Sequence, residues 1–384
     1  LWSDKKLRLR IIDIDSKKIT NIAQSQVWEY RDFNWSPDSK WIVYTDPMKT
    51  GMNQIKLYSL ESKKTIPVTS EWYESYHANF SRDGKYLVFI SDRDFNPTYS
   101  HTEWNHVYTD MSKVYILPLS VDTENPLGPE NDEVKIKDED AEKDEEDDDN
   151  GNTVEVTEEG LQSRILALPI KASNYWGVEM IDNCIYYMKR GKGDSKSSLV
   201  LYKLEDRKED NLGEAGGFDI SHDGKKMLVV KGRKYYVISL PKSDIKLDKN
   251  ISFDGLKTEV NRQEEWAQIY YEAWRQMRDF FYVKNMHGND WEKMRDKYAV
   301  LLPYVNNRHD LNYIIGELIG ELNVGHAYIS GGDRPNPDRI KLGLLGAKII
   351  PDASGYFKVD EILDGANWSK SLRSPLTEYG VDVK

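Results

Sequence analysis

Asp32-Phe-Asn-Trp-Ser-Pro-Asp-Ser-Lys-Trp-Ile-Val-Tyr44 returns as His77-Ala-Asn-Phe-Ser-Arg-Asp-Gly-Lys-Tyr-Leu-Val-Phe89 and again as Gly217-Phe-Asp-Ile-Ser-His-Asp-Gly-Lys-Lys-Met-Leu-Val229. Ser36, Ser81 and Ser221 mark the same point in each copy, and the first two stand 45 residues apart, the period of a propeller blade. In each copy a strand enters, Ser-x-Asp-Gly or Ser-Pro-Asp-Ser makes a tight turn, and a lysine followed by alternating apolar residues begins the next strand. A weaker copy lies between them, where Tyr175-Trp176 and Ile185-Tyr186-Tyr187 keep the strands and Asp182-Asn183 supplies the turn. Gln54 to Ser59, Lys113 to Leu117, Ser198 to Tyr202 and Tyr235 to Ile238 read as further blade strands.

Four to five blades are expected, the first of them incomplete over Lys6 to Asn21, in a propeller that lacks some of its blades. A solenoid of the same repeats is the other architecture that this period allows. Aligning Ile185 with Ile42 leaves about 53 surplus residues beyond the period. They are explained by an insertion over 121–160, whose Asn125-Pro-Leu-Gly-Pro129 and acidic run hold too few apolar residues to fold alone. The run Asp138 to Asp149 has ten acidic residues and one lysine. It lacks the spaced ligands and turn glycine of a calcium loop, and reads as a solvated loop between blades.

That run also dominates the charge. It carries −9 of the net −12, leaving −3 for the rest of the 384 residues and no basic face for nucleic acid. No stretch reaches the roughly 18 apolar residues of a membrane span. The single cysteine, Cys184, excludes an internal disulfide and reads as a free buried thiol. The chain opens on Leu1 and stops in mid-pattern at Gly380-Val-Asp-Val-Lys384, so it reads as a fragment cut at both ends. A cytoplasmic location is expected, with a periplasmic one left open by the unread N-terminal side.

From Thr258 the period changes from 2 to 3.6. Trp266, Ile269, Tyr270, Ala273, Met277 and Phe281 form one helical stripe. Trp291, Met294, Tyr298 and Leu302 form a second, capped by Asn289 with Glu292 in the reciprocal position. Leu311, Ile314, Ile315, Leu318, Ile319 and Leu322 form a third, capped by Asn307 with Asp310 three residues on, and leave Asn312, Glu317 and Glu321 in water. Gly325 is expected to end that helix in the left-handed conformation, and Ala327 to Ile329 to run as a strand up to Gly331-Gly332. The histidine at the junction is His326. Beyond it Pro335 and Pro337 break the chain, and Leu342 to Ile350 and Tyr356 to Ile362 begin a small β-rich module. The organisation expected is thus multidomain: incomplete all-β propeller over 1–257, three-helix block over 258–340, and truncated β module over 341–384.

Seven histidines occur, but no His-Glu-x-x-His and no helically spaced pair, so no metal site is expected. No glycine-rich phosphate loop lies between a strand and a helix, and no cofactor is expected. No Gly-x-Ser-x-Gly appears. His326 stands as a general base without a visible nucleophile, or as a histidine bonded to backbone.

The order of parts resembles the tricorn proteases, serine peptidases related to the C-terminal processing proteases. The resemblance is carried by the blades, then Glu265-Trp-Ala-Gln-Ile-Tyr-Tyr-Glu-Ala-Trp-Arg-Gln-Met-Arg-Asp-Phe-Phe281, Met286-His-Gly-Asn-Asp-Trp291, Lys297-Tyr-Ala-Val-Leu-Leu-Pro303, and Glu317-Leu-Ile-Gly-Glu-Leu-Asn-Val-Gly-His-Ala-Tyr-Ile-Ser-Gly-Gly-Asp333. In that family two propellers precede a helical first catalytic subdomain, a PDZ domain and a second catalytic subdomain. The resemblance makes 258–340 the first catalytic subdomain and 341–384 the start of a PDZ-like domain, with Leu344-Leu-Gly-Ala347 and Ser374-Pro-Leu-Thr-Glu-Tyr-Gly380 as its pieces. It assigns His326 as the catalytic general acid/base, with the nucleophilic serine, the acidic member and the oxyanion donors in a missing downstream domain. The fragment itself is then expected to be inactive. The family commonly has serine before the histidine, where this chain has Gly325. Oligopeptide substrates admitted through the propeller, and a large homo-oligomer, are also implied. Two rival functions fit the same parts: a non-catalytic propeller and PDZ scaffold for peptides or proteins, and a periplasmic propeller accessory protein.

Overall fold

In the computed structural model, which describes residues 1–99, 106–129, 153–333, 337–338 and 340–381, the repeated motif closes its hairpin the same way each time. Ser36 Oγ donates to Asp38 Oδ1 (2.6 Å) and accepts from Trp41 N (2.9 Å), while Lys40 N donates to Asp38 Oδ1 (3.1 Å). Ser81, Asp83, Tyr86 and Lys85 repeat this set, as do Ser221, Asp223, Lys226 and Lys225. The turn needs one residue at positive φ, filled by Ser39, Gly84 and Gly224.

The chain divides into two compact units, Leu1–Lys257 and Thr258–Lys384. In the first, β1 (Trp2–Asp4), β2 (Arg8–Ile12) and β3 (Ile19–Gln24) form a three-stranded sheet. β4 (Phe33–Trp35), β5 (Trp41–Pro47), β6 (Asn53–Ser59) and β7 (Thr65–Pro67) form a four-stranded one. The third sheet takes β8 (Ser75–Phe80) and β9 (Tyr86–Asp92), passes over a separate hairpin of β10 (Pro97–Tyr99) and β11 (His106–Tyr108), and adds β12 (Ser112–Pro118) and β13 (Leu166–Ala167) in the order β13-β12-β9-β8. β14 (Tyr175–Ile181), β15 (Cys184–Lys189), β16 (Ser198–Lys203) and β17 (Lys208–Glu214) make the fourth. β18 (Gly217–Ile220), β19 (Lys226–Lys231) and β20 (Lys234–Ser239) make the fifth, and the sheets do not close into a ring.

Each core lies between two consecutive sheets. Leu87 and Phe89 of β9 face the second sheet, while Val88 and Ile90 face the fourth. Period-2 alternation thus fills two cores from one strand, which is face-to-face stacking of blades. A solenoid is corrected by the same observation, because each repeat here is its own sheet and does not extend its neighbour's ladder. The propeller is incomplete, as expected.

The first strands are also tied to one another by polar side chains at one register position. Asn34, Asn79, Glu179 and Asp219 pair with Val43, Val88, Tyr186 and Leu228. Asn34 Nδ2 donates to Ala78 O (3.2 Å), Asn79 Nδ2 to Val178 O (2.8 Å), and Glu179 accepts from the Ile220 backbone. Burial, with the Asp219 charge adding to it, pushes the Glu179 carboxyl up to about 7.

The acidic run lies outside the described residues, but the flanks of the insertion are not loose. Val154 is buried between the second and third sheets and its N–H donates to Asp38 Oδ2 (2.9 Å). Arg164 donates to the carbonyls of Pro118, Leu119, Thr157 and Glu159. The expected insertion 121–160 therefore overreaches on its C-terminal side, where apolar Val154 and Val156 are drawn into the core. Cys184 is free and half-buried at the start of β15, with its thiol pushed up mainly by burial.

The second unit opens with α1 (Arg262–Phe280), capped by Asn261, then α2 (Trp291–Ala299) and α3 (Arg308–Gly320). The α2 cap is Asp290, whose carboxylate accepts from Lys293 N (3.0 Å), and not the expected Asn289. The Asn289 amide is committed to the carbonyls of Met286 and Glu321 (3.1 and 2.7 Å). The α3 cap is Asn307, which accepts from His309 N and Asp310 N. Inside the bundle Trp274 Nε1 donates to Trp291 O (2.8 Å) and Trp291 Nε1 to Trp274 O (3.0 Å), both in buried surroundings. After the helices, β21 (Ala347–Pro351) and β22 (Phe357–Ile362) form the PDZ-like hairpin. Buried Ser374 donates to Leu363 O (2.6 Å) and its N–H to Asn367 Oδ1 (2.9 Å), which folds 363–377 into one knot.

Two outcomes test these cores. Glu179 holds its proton in the fold up to about pH 7 and releases it near 4.5 when unfolded, so its contribution to stability is full below 4.5 and is lost as pH rises to 7. Glu179→Gln should therefore stabilise the first unit by about 1–3 kcal/mol at pH 8 and have little effect at pH 4.5, by thermal melts at the two pH values. An equal gain at both would contradict the titration. Trp291→Phe removes one of the two indole bonds and shrinks a buried side chain, and should cost the second unit about 1–3 kcal/mol in denaturant titrations.

Candidate active site

Apolar packing fixes α3, and α3 fixes the loop that leaves it. Leu311, Ile315, Leu318 and Leu322 are buried against α1 and α2, so the chain departs from the helix at a set place. Gly320 is the last helical residue, and the left-handed residues after it are Asn323 (φ 50°) and His326 (φ 58°). The expectation that Gly325 ends the helix is corrected: its φ lies outside the left-handed range, and Asn323, a residue that tolerates that region, makes the turn. The expected strand Ala327 to Ile329 is likewise absent. Among the described residues no neighbouring strand offers it a ladder.

The loop is braced at both ends. At its start, the Glu321 carboxylate takes the Lys297 ammonium (2.5 Å) and the Tyr298 hydroxyl (2.6 Å), and the Glu321 carbonyl takes the Asn289 amide. The Leu322 carbonyl accepts from His287 Nδ1 (2.8 Å). At its end, Ile329 packs against the bundle, and a side chain at Gly316 would press on it. Asn312 donates to Gly331 O (3.0 Å) and accepts from Arg308 Nε (3.0 Å). Asn312 is thus buried and not in water as its polarity suggested, because this amide closes the loop. Arg262 pairs with Asp333 (2.6 Å).

Between the braces Gly325 to Tyr328 is exposed, with His326 at the tip. Among the described residues its ring has one hydrogen-bonding partner, the Tyr328 hydroxyl, 3.4 Å from Nδ1, which is long for such a bond. An imidazole held on a fixed loop with Nε2 open can exchange a proton with a group brought to it. His77 differs: its Nδ1 accepts from Gly177 N (3.2 Å), inside the propeller. His101 lies outside the described residues. Among the described residues no three His, Cys, Asp or Glu side chains converge as metal ligands, and no helix is long and apolar enough to cross a membrane. His287, Asn289 and Asn312 are the supporting residues that periodicity misses. Each acts on a carbonyl far along the chain, and the only local signal is the unusual Met-His-Gly turn.

Residues 1–241 match the tricorn protease second beta propeller domain. The chain belongs to the tricorn protease family. Residues 262–320 match the tricorn protease C1 domain and 343–384 its PDZ domain. Tricorn protease homolog 1 of Streptomyces coelicolor is 27% identical over 398 residues, covering 98% of this chain and 37% of the relative. The tricorn protease homolog of Saccharolobus solfataricus is also 27% identical, covering 100% and 36%, and the tricorn protease of Thermoplasma acidophilum is 26% identical, covering 99% and 36%. The chain therefore spans little more than a third of the length of these relatives. A crystal structure of the tricorn protease shares the fold with a TM-score of 0.80 at 23% identity, over 99% of this chain and 37% of that one.

Proposed function

We propose that this chain supplies the general base of a serine peptidase that degrades oligopeptides. His326 takes the proton of a serine hydroxyl as it attacks the scissile carbonyl, then returns it to the leaving amine. The nucleophile, its acidic partner and the oxyanion donors come from sequence beyond these 384 residues, so the chain alone does not hydrolyse peptides. The observation that supports this reading is the placement of His326, exposed on a loop braced at both ends; its role as the base is carried over from the resemblance to the family. In the same reading the propeller is the passage through which peptides reach the site, and the protein works as a homo-oligomer without metal or cofactor.

Gly325 favours a second reading, a peptide- or protein-binding scaffold in which His326 is not used. The family commonly has a serine there to orient the ring, and here, among the described residues, the long Tyr328 contact alone does so. The backbone does not forbid that serine: a Cβ at 325 meets nothing within 4 Å.

In the longer protein that carries the nucleophile, a fluorophosphonate should label one serine, and His326→Ala should slow labelling by at least about a thousandfold. Gly325→Ser should speed it. Labelling unchanged in His326→Ala would remove His326 as the base, and no labelled serine at all would leave the scaffold.

A further inference from the structure

The turn Met286-His287-Gly288 runs through three consecutive residues at positive φ, 50°, 55° and 83°, the first two without the freedom of glycine. Met286 is buried in the helical core, which holds the strained turn in place. Such a backbone persists only where its surroundings over-determine it, and it places one side chain where a relaxed turn would not. That side chain is His287. Its Nδ1 lies 2.8 Å from Leu322 O and its Nε2 2.7 Å from the Tyr282 hydroxyl. A carbonyl only accepts, so Nδ1 carries the proton and Nε2 accepts from Tyr282. Phe281 and Tyr282 both set their rings edge-on to the imidazole, at 5.2 and 5.4 Å, which fixes its plane.

The two carbonyls met by this turn are consecutive, Glu321 from Asn289 and Leu322 from His287. Both belong to the last turn after α3, where carbonyls have no intrahelical partner and would otherwise take water and fray. Four residues further on stands His326. We propose that His287, assisted by Asn289, is the positioning residue of the candidate site: it sets the direction in which the chain leaves α3 and so holds His326 at one place. This rests on His326 as the general base, but its consequence for the loop is measurable without any activity.

The experiment uses the 384-residue chain, with hydrogen exchange read over 321–329 and the His326 ring followed by NMR. His287→Ala should speed exchange of the Glu321, Leu322 and Asn323 amides, which are bonded to the Leu318, Ile319 and Gly320 carbonyls, by about tenfold and leave the α1 and α2 amides within about twofold, and the His326 ring signal should broaden or split. His287→Asn keeps a donor at the Nδ1 position and tolerates positive φ, so it should restore both readouts. Tyr282→Phe should change neither. Should His287→Ala fail to fold, Asn289→Ala, which removes the companion bond, should give the same local acceleration. Exchange unchanged over 321–323, or raised equally through all three helices, would overturn the proposal, as would failure of His287→Asn to rescue. If the loop loosens as stated while His326→Ala leaves serine labelling unchanged, the positioning stands and the general base is what fails.

Discussion

Two buried indoles trade hydrogen bonds with each other's backbone carbonyl, and the helical unit is built outward from that exchange. A buried indole N–H without a partner costs more than a made bond returns, so the two tryptophans either meet in this register or destabilise the fold. Together they also remove several hundred Å² of apolar surface from water, about 150–250 Å² each. Because Trp274 belongs to α1 and Trp291 begins α2, the exchange fixes where α2 starts. That in turn places Lys297 and Tyr298 at the Glu321 carboxylate, one step from the loop of His326. The proposed chemistry thus depends on core packing of side chains that never approach a substrate.

The first unit solves a different problem. A sheet buried on both faces has no polar face to tell the chain which side is in, so register must be fixed by other means. The Ser-x-Asp turn fixes it within each hairpin, and the side chains at Asn34, Asn79 and Glu179 fix it between sheets. Glu179 is the costly member, a carboxyl held neutral up to about pH 7 by its surroundings. Asparagine in the two preceding sheets does the same work without that penalty.

Legibility in the sequence followed the distance over which each feature acts. The blade turns and the Asn307 cap are made within five residues, and their residue types alone announce them. Asn289 and Asp290 are equally good caps on paper. Asp290 takes the role because Asn289 is claimed by a carbonyl 32 residues away. Asn312 looked solvent-facing for the same reason, since its partner Gly331 lies 19 residues on. The helical period admits Trp274, four residues after Tyr270, but a stripe drawn through Ala273 and Met277 passes it by. At the candidate site resemblance nominates the histidine but not the supports that hold its loop, because these belong to a different turn of the chain.

β13 touches its sheet through only two residue pairs, Tyr115 with Ala167 and Ile116 with Leu166, at the edge opposite β8. An extra residue in a first strand would swing its side chains to the wrong face and disturb two cores and a neighbour's backbone at once. The connection into β13 is held only at its flanks, by Leu119 on one side and Val154 to Ile165 on the other, and loop closure between them grows only slowly with length. It is there, between β12 and β13, that this chain carries its long acidic run. The rim of the third blade is accordingly where added chain length costs the stack least, since the register of the sheets beneath is set elsewhere.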